Sequence, residues 1–180
     1  MVRGTAGLLT LMVLVGLAPP GAAQAPDPAP ANRADVETVD ALIAAVYDAI
    51  SGPAGQARNW DRFRSLFLPG ARLIPTAKAP DGSVRSRVLT VEEYVQLAGP
   101  QLERQGFFER EIGRIAERYG SIVHLMSAYD SRRGAEDPTP FARGVNSFQL
   151  VHDGSRWWIV TIFWQGETPD NPIPGRFLAP

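Results

Sequence analysis

Two side chains capable of acid–base chemistry, Glu117 and His124, flank a short turn at Gly120-Ser121. If that turn joins two antiparallel strands, Glu117 lies directly opposite His124. A carboxylate beside an imidazole orients the ring and brings its titration near neutrality, so we expect His124 to act as a general acid or base. The alternative is a half-buried structural histidine whose hydrogen bonds are satisfied by the acid on the neighbouring strand.

The same register extends along both strands. It places Ile115 opposite Met126, beside His124, and Glu111 opposite Asp130. Two facing carboxylates repel unless an arginine lies between them, and the ordinary interpretation of such a set is a solvated charged face. We expect no metal site, because the chain has only two histidines and no cysteine.

Three further side chains are candidates for contacting a ligand. Tyr47 lies beside an apolar helical stripe, and its hydroxyl either contacts a ligand or simply ends a core side chain. Asn146 is unusual within a strand, where a buried amide needs hydrogen-bond partners from a ligand or from a loop backbone. Trp164 belongs to a strand that is apolar on both faces, so at least one tryptophan there is expected to face a pocket.

The elements that must position these residues begin with helices. Apolar residues recur at helical spacing from Val36 to Ile50, with Asp35 as the predicted cap and Ser51-Gly52-Pro53 as the end. Asn59 caps a short second helix. Thr90 and Glu93 form a capping box for a third helix, which we expect Gly99-Pro100 to interrupt.

The remaining segments predict strands. Residues 71–76 and 83–89 form a hairpin, and the segment from Phe107 to residue 119 is assigned as a strand because the following strand needs a neighbour. Residues 142–152 and 156–165 are two long strands around an Asp153-Gly154 turn, and the last of them belongs in the middle of a sheet. The order of elements predicts an α+β domain.

Several segments, taken in order, resemble the nuclear transport factor 2-like superfamily, which includes SnoaL-like cyclases and ketosteroid isomerases. They are residues 46–50 (VYDAI), residues 60–67 (WDRFRSLF) followed by Pro69-Gly70-Ala71, and residues 154–160 (GSRWWIV). The resemblance covers about residues 35–165. It implies a curved, mostly antiparallel sheet that three helices wrap into a cone, a cystatin-like roll, with an apolar pocket in its mouth. It implies no single activity.

The resemblance can be tested residue by residue against the active site of ketosteroid isomerases. Tyr47 matches the tyrosine of the first helix, Asn146 takes the position of the protonated acid, and Trp164 matches a pocket tryptophan. The position of the base, however, holds Ile74 or Pro75, neither of which accepts a proton. The resemblance therefore implies half of an oxyanion site and argues against steroid isomerisation.

The composition excludes several classes of function. The chain has 180 residues, no cysteine and a formal net charge of −1, which rules out disulfides, thiolate metal sites and cysteine nucleophiles. The sequence contains no basic patch of the kind that binds nucleic acid. Phosphate-binding glycine loops and GxSxG are absent, and we expect no cofactor.

Residues 1–23 are typical of a secretory signal peptide, with Arg3, an apolar stretch over residues 6–18 and cleavage after Ala23. The stretch is shorter than the roughly 20 residues of a membrane anchor. We expect a flexible leader at 24–34, the domain at 35–165 and a Pro-rich tail at 166–180. The mature protein is predicted to be periplasmic or secreted, with no membrane attachment.

Three functions remain open. The first is binding of a small apolar or amphipathic molecule in the sheet mouth, lined by Tyr47, Asn146, His124, Met126 and Trp164. The second is a cofactor-free isomerase, lyase or hydratase, with His124 oriented by Glu117 as acid or base and with Tyr47 and Asn146 holding the oxyanion. The third is a homodimeric association module, for which we expect the contact to be carried by Arg110, Arg114 and Arg118.

Overall fold

The structure is a computed structural model that describes residues 30–79 and 81–178. The predicted signal peptide and residues 24–29 of the predicted leader lie outside the described residues. The described helices are α1 (Arg33–Val36), α2 (Val39–Ile50), α3 (Trp60–Ser65) and α4 (Val91–Gln105), with a 3-10 turn at Gly175–Phe177. None of these helices is long and apolar enough to span a bilayer.

Helix α2 begins one turn later than its predicted start. The hydroxyl of Thr38, not Asp35, caps it by accepting from the backbone N–H of Ala41 at 3.0 Å. Asp35 lies in α1, which is capped by Asn32 and starts inside the predicted leader. The Asp35 carboxylate instead receives two hydrogen bonds from Arg62 of α3, at 2.7 and 3.0 Å, and so links α1 to α3.

Helix α4 has the predicted capping box between Thr90 and Glu93. The expected interruption at Gly99-Pro100 is wrong, because the helix continues to Gln105. A proline removes one helical N–H, and here the surrounding packing outweighs that loss. Gly99 lies against the ring of Trp60, where an added Cβ would come within 3.1 Å of the indole.

Six strands form one sheet in the order β2-β1-β6-β5-β4-β3. Of the described strands, only β1 and β6 pair in parallel, and the predicted β1-β2 hairpin is confirmed. The last strand lies between two neighbours inside the sheet, as its two apolar faces predict. The bounds are β1 Phe67–Lys78, β2 Val84–Ser86, β3 Phe108–Tyr119, β4 Ile122–Arg132, β5 Ala142–His152 and β6 Trp157–Gly166.

The register of β3 against β4 follows the prediction near the turn and departs from it further away. Glu117 pairs with His124, as expected. A β-bulge between Glu111 and Gly113 then adds one residue to β3, so Asp130 faces Arg110 and not Glu111. The predicted repulsion between Glu111 and Asp130 is therefore absent.

The bulge also divides the predicted arginine face. The inner face of the sheet, which the helices cover, carries the buried side chains of Val123, Leu125 and Ser127 on β4. Arg114 and Arg118 pair with Ser127 and Val123 and so belong to this inner face, whereas Arg110 pairs with Asp130 on the outer face. These arginines do not form one continuous surface.

The C-terminal strap, residues 167–178, returns across the outer face from the end of β6. Its Phe177 carbonyl and Leu178 lie directly over Gly113 of the bulge. The strap contacts β3 and β4, and the outward-facing Ala128 of β4 is fully buried. The segment predicted as a tail thus packs on the sheet over its described residues.

Candidate functional site

An inner cavity of about 120 Å³ lies between the helices and the inner face of the sheet. A cavity of roughly 150 Å³ holds one benzene molecule, so this space suits a molecule of similar or smaller size. Its wall is mostly aliphatic and aromatic, with a few polar groups: it consists of Val46, Tyr47, Ile50, Phe63, Leu73, Tyr94, Phe107, Glu109, Tyr129, Asn146, Phe148, Ile162 and Trp164.

Among the described residues, Glu109 is the one ionisable carboxyl on this wall. It stands on the inner face of β3, where the Ser131 hydroxyl donates to its Oε2 at 2.8 Å. Burial raises the pKa of Glu109 to about 7; hydrogen bonds from Ser131 and Asn146 lower it in part, and the charge of Asp130 adds a small increase. Glu109 therefore both accepts and releases a proton near neutral pH.

Two phenols, Tyr94 and Tyr129, share the cavity with Glu109. Burial raises the pKa of each phenol, and the charge of Glu109 raises it further, so both are protonated donors at neutral pH. No hydrogen bond to another described residue engages either hydroxyl. Both O–H groups are therefore available to a polar atom of a ligand.

Tyr47 has a different environment, although it also lies on the cavity wall. Its hydroxyl is 2.8 Å from the Ser127 hydroxyl and receives a hydrogen bond from the Asn146 amide at 3.0 Å. Ser127 donates in turn to Glu111 Oε1 at 2.6 Å. Burial is the main cause that raises the pKa of Tyr47.

A second cleft of about 440 Å³, lined by more charged side chains, lies between α2 and the start of β3. It shares Tyr47 and Glu109 with the inner cavity, so these two side chains form the wall between the two spaces. Arginines and acids alternate around it: the lining is Asp40, Ile43, Ala44, Tyr47, Asp48, Ser51, Phe108, Glu109, Arg110, Glu111, Arg114, Asp130, Arg132 and Ala135.

The structure separates the residues that the sequence analysis grouped as one site. Tyr47, Asn146 and Trp164 lie together on the cavity wall. His124 and Met126 do not line this cavity, because they alternate with the buried Val123 and Leu125 and so face the outer side of the sheet. His124 is exposed there, with its Nε2 3.0 Å from the Ser147 hydroxyl, in a shallow groove that also contains Glu117.

The acid that sequence reasoning missed is Glu109, together with the hydroxyls of Tyr94 and Tyr129. Neither Ile74 nor Pro75 lies on the cavity wall, so the carboxyl comes from β3 and not from β1. One signal was present: a glycine inside a strand, here Gly113, often marks a bulge, and the bulge turns Glu109 inward.

Comparison with solved structures supports the same architecture. A protein of unknown function with a cystatin-like fold from Nostoc punctiforme superposes with a TM-score of 0.54 at 14% identity, over 76% of this chain and 92% of that one. At this identity the likeness shows the fold alone, and that fold is the one the sequence resemblance implied.

Two other solved structures are similar at lower scores. An NTF2-like protein of unknown function from Shewanella baltica gives a TM-score of 0.44 at 13% identity, over 70% of this chain and 91% of that chain. A nuclear transport factor 2 (NTF2-like) superfamily protein from Salmonella enterica gives 0.46 at 12% identity, over 71% and 84%. No family model matches the chain, and no curated protein matches it.

Proposed function

We propose that the inner cavity binds a small, largely apolar molecule and that Glu109 exchanges a proton with it, without a cofactor. The observation that carries this proposal is the grouping of one carboxyl, Glu109, with the phenols Tyr94 and Tyr129, whose hydroxyls have no hydrogen bond to a described residue, in a mostly apolar cavity. A group with a pKa of about 7 is suited to general acid–base catalysis at neutral pH.

The arrangement suits a carbonyl compound. The carbonyl oxygen accepts hydrogen bonds from Tyr94 and Tyr129, while the Glu109 carboxylate removes a proton from the adjacent carbon. Donors fixed around a developing oxyanion stabilise the enolate that forms. The cavity volume of about 120 Å³ limits the ligand to a single small ring or a short chain, which argues against a steroid. Isomerisations, eliminations and dehydrations of carbonyl compounds that pass through an enolate begin with such a step.

The test is exchange of carbon-bound hydrogen in cyclopentanone, a ketone of suitable size. In D₂O the deuterated carboxyl returns deuterium to the carbon, and nuclear magnetic resonance follows its incorporation. We expect the protein to accelerate the exchange, and we expect Glu109→Gln to lower the rate by roughly a hundredfold or more, the usual contribution of a general base. Circular dichroism verifies that the variant is folded.

His124→Ala is the matched control, because His124 lies on the outer face and is exposed. We expect this variant to exchange at the wild-type rate. Loss of exchange in His124→Ala with normal exchange in Glu109→Gln would instead support the predicted role of His124 oriented by Glu117. Ketone binding without exchange would leave a binding protein and contradict proton transfer, and absence of binding would contradict the ligand site itself.

Export and self-association remain predictions. The exported location rests on residues 1–23. The homodimer predicted through Arg110, Arg114 and Arg118 has less support than before, because Arg114 is paired with Glu111 and Asp40 and Arg118 lies over the Trp157 ring. Analytical ultracentrifugation of the mature protein gives the oligomeric mass.

A further inference from the structure

The hydroxyl hydrogen of Tyr47 points away from the inner cavity. Glu111 ends the chain of hydrogen bonds, and an ionised carboxylate only accepts. The single hydrogen of Ser127 is therefore given to Glu111 at 2.6 Å. It follows that Tyr47 is the donor in its 2.8 Å contact with Ser127. The phenol oxygen has no hydrogen left for a ligand.

The residues at the two ends of this series of hydrogen bonds, Glu111 and Asn146, fix which hydroxyl is the donor at each step. Glu111 is held by Arg114, which approaches within 2.7 Å and also binds Asp40, so the Glu111 side chain is oriented as an acceptor beside a guanidinium. At the other end the Asn146 amide donates to Tyr47 at 3.0 Å, and an amide N–H cannot accept. Reversal would require a proton on Glu111 beside a guanidinium.

We propose that Ser127 determines ligand specificity, by holding the hydroxyl hydrogen of Tyr47, so that the phenol oxygen, which already accepts from Asn146, offers the cavity only its remaining lone pair as a hydrogen-bond acceptor. The ligand that fits carries a hydroxyl to donate to Tyr47, in addition to the oxygen that Tyr94 and Tyr129 bind. A small hydroxy-carbonyl compound has both groups. This inference rests on the proposed function, since it assumes that the inner cavity binds a small molecule.

The role differs from the one implied by the sequence resemblance, in which Tyr47 donates to an oxyanion. Here that task falls to Tyr94 and Tyr129, whose hydroxyls are unengaged within the described chain. Ser127 itself is fully buried and does not line the cavity, so it acts through Tyr47 and is a positioning residue.

The experiment compares two probes of equal size, cyclopentanol, which can donate, and cyclopentanone, which only accepts. Dissociation constants are measured by titration with nuclear magnetic resonance. We expect the wild type to favour the alcohol. In Ser127→Ala the Tyr47 hydrogen loses its acceptor and turns toward the cavity, so the ketone-to-alcohol ratio of dissociation constants falls by roughly fivefold, the usual effect of one hydrogen bond.

Ser65→Ala is the matched control, because Ser65 is also buried but its hydroxyl donates to the Arg62 carbonyl, outside the cavity. We expect its ratio to equal that of the wild type. Glu111→Ala is a second variant in the same series of hydrogen bonds, and it keeps the proposal testable if Ser127→Ala does not fold. Without Glu111 the Ser127 hydrogen turns to Tyr47, and the ratio shifts in the same direction.

The outcomes separate the two proposals. If the wild type binds both probes and neither Ser127→Ala nor Glu111→Ala changes the ratio, the specificity role is overturned while the binding function stands. If neither probe binds the wild type, the proposed function fails, and this inference fails with it. A shift confined to the two variants, with Ser65→Ala unchanged, supports the specificity role.

Discussion

Glu111 and Arg114 lie on the same face of β3, with Arg114 Nη2 2.7 Å from Glu111 Oε2. Residues three apart in a regular strand point to opposite faces. The bulge between Glu111 and Gly113 adds one residue and so brings the pair together. The same bulge places Glu109 and Glu111 on the inner face while Glu117 faces outward, which makes it the feature that directs a carboxyl into the cavity.

The first prediction concerns the packing of the C-terminal strap against Gly113 at this bulge. In Gly113→Ala the new Cβ would come within 2.5 Å of the Phe177 carbonyl oxygen and 2.7 Å of Leu178 Cα. Since these are backbone atoms, the strap must move, and we expect a loss of about 1–3 kcal/mol in the free energy of unfolding. Urea denaturation measures the loss, and limited proteolysis reports release of the C-terminus.

Gly175→Ala is the control for this prediction, because it lies in the strap itself with open space around the new Cβ. We expect it to keep wild-type stability within about 0.5 kcal/mol. Wild-type stability and protease resistance in Gly113→Ala would show that the strap does not depend on close approach to the bulge.

The second prediction is a pH dependence of stability caused by Glu109. Its pKa is about 7 in the fold against an ordinary 4.5, so the folded state retains a proton that the unfolded chain releases. This stabilising contribution is complete below about pH 4.5 and is lost as the pH rises to about 7. At 1.36 kcal/mol per pKa unit, the loss in unfolding free energy is at most about 3–4 kcal/mol.

Glu109→Gln removes that dependence, because the amide does not titrate. Urea unfolding of both proteins between about pH 4 and pH 8 should give a difference in unfolding free energy that moves in favour of the variant as the pH rises. Other titrating groups cancel in the difference. Two curves that stay parallel over this range would mean that Glu109 titrates normally and is not suited to act as the base.

Much of the fold could be predicted from local signals. The capping box of Thr90 and Glu93 is contained within one helical turn, and the turn at Gly120-Ser121 fixes the pairing of Glu117 with His124. The position of β6 inside the sheet follows from apolar residues on both its faces. Each of these signals depends only on neighbouring residues or on periodicity, which a single sequence contains.

The composition of the site could be predicted only in part. Element order and matching motifs singled out Tyr47, Asn146 and Trp164, and these three side chains line the cavity. Glu109 was missed because strict alternation counted back from Glu117 places it on the outer face, and a bulge reverses that count. The strap packs on Gly113 at this bulge, in a contact between residues more than sixty apart. Where α4 continues through Pro100, Gly99 likewise contacts Trp60, a residue distant in the sequence.

The third prediction concerns Arg58, a buried arginine with 7% exposure that organises the loop before α3. Its guanidinium donates to five backbone carbonyls, and burial lowers its pKa. The loop pairs through Gly52 with Phe107, which lines the cavity, so Arg58 also supports the cavity rim. The acceptors, at 2.6–3.3 Å, are the carbonyls of Ile50, Gly52, Pro53, Gln56 and Leu102.

Arg58→Lys keeps the charge but replaces a planar fork of donors with a single ammonium, so several buried carbonyls lose their partner. We expect a loss of about 2–4 kcal/mol in the free energy of unfolding, at roughly 1–3 kcal/mol for each unsatisfied group that water cannot reach. Arg85→Lys is the control, since the Arg85 side chain is 74% exposed and its change should cost under about 0.5 kcal/mol. Equal stability of the two variants in urea would contradict a structural role for Arg58, because it would mean that the ammonium or water satisfies the same carbonyls.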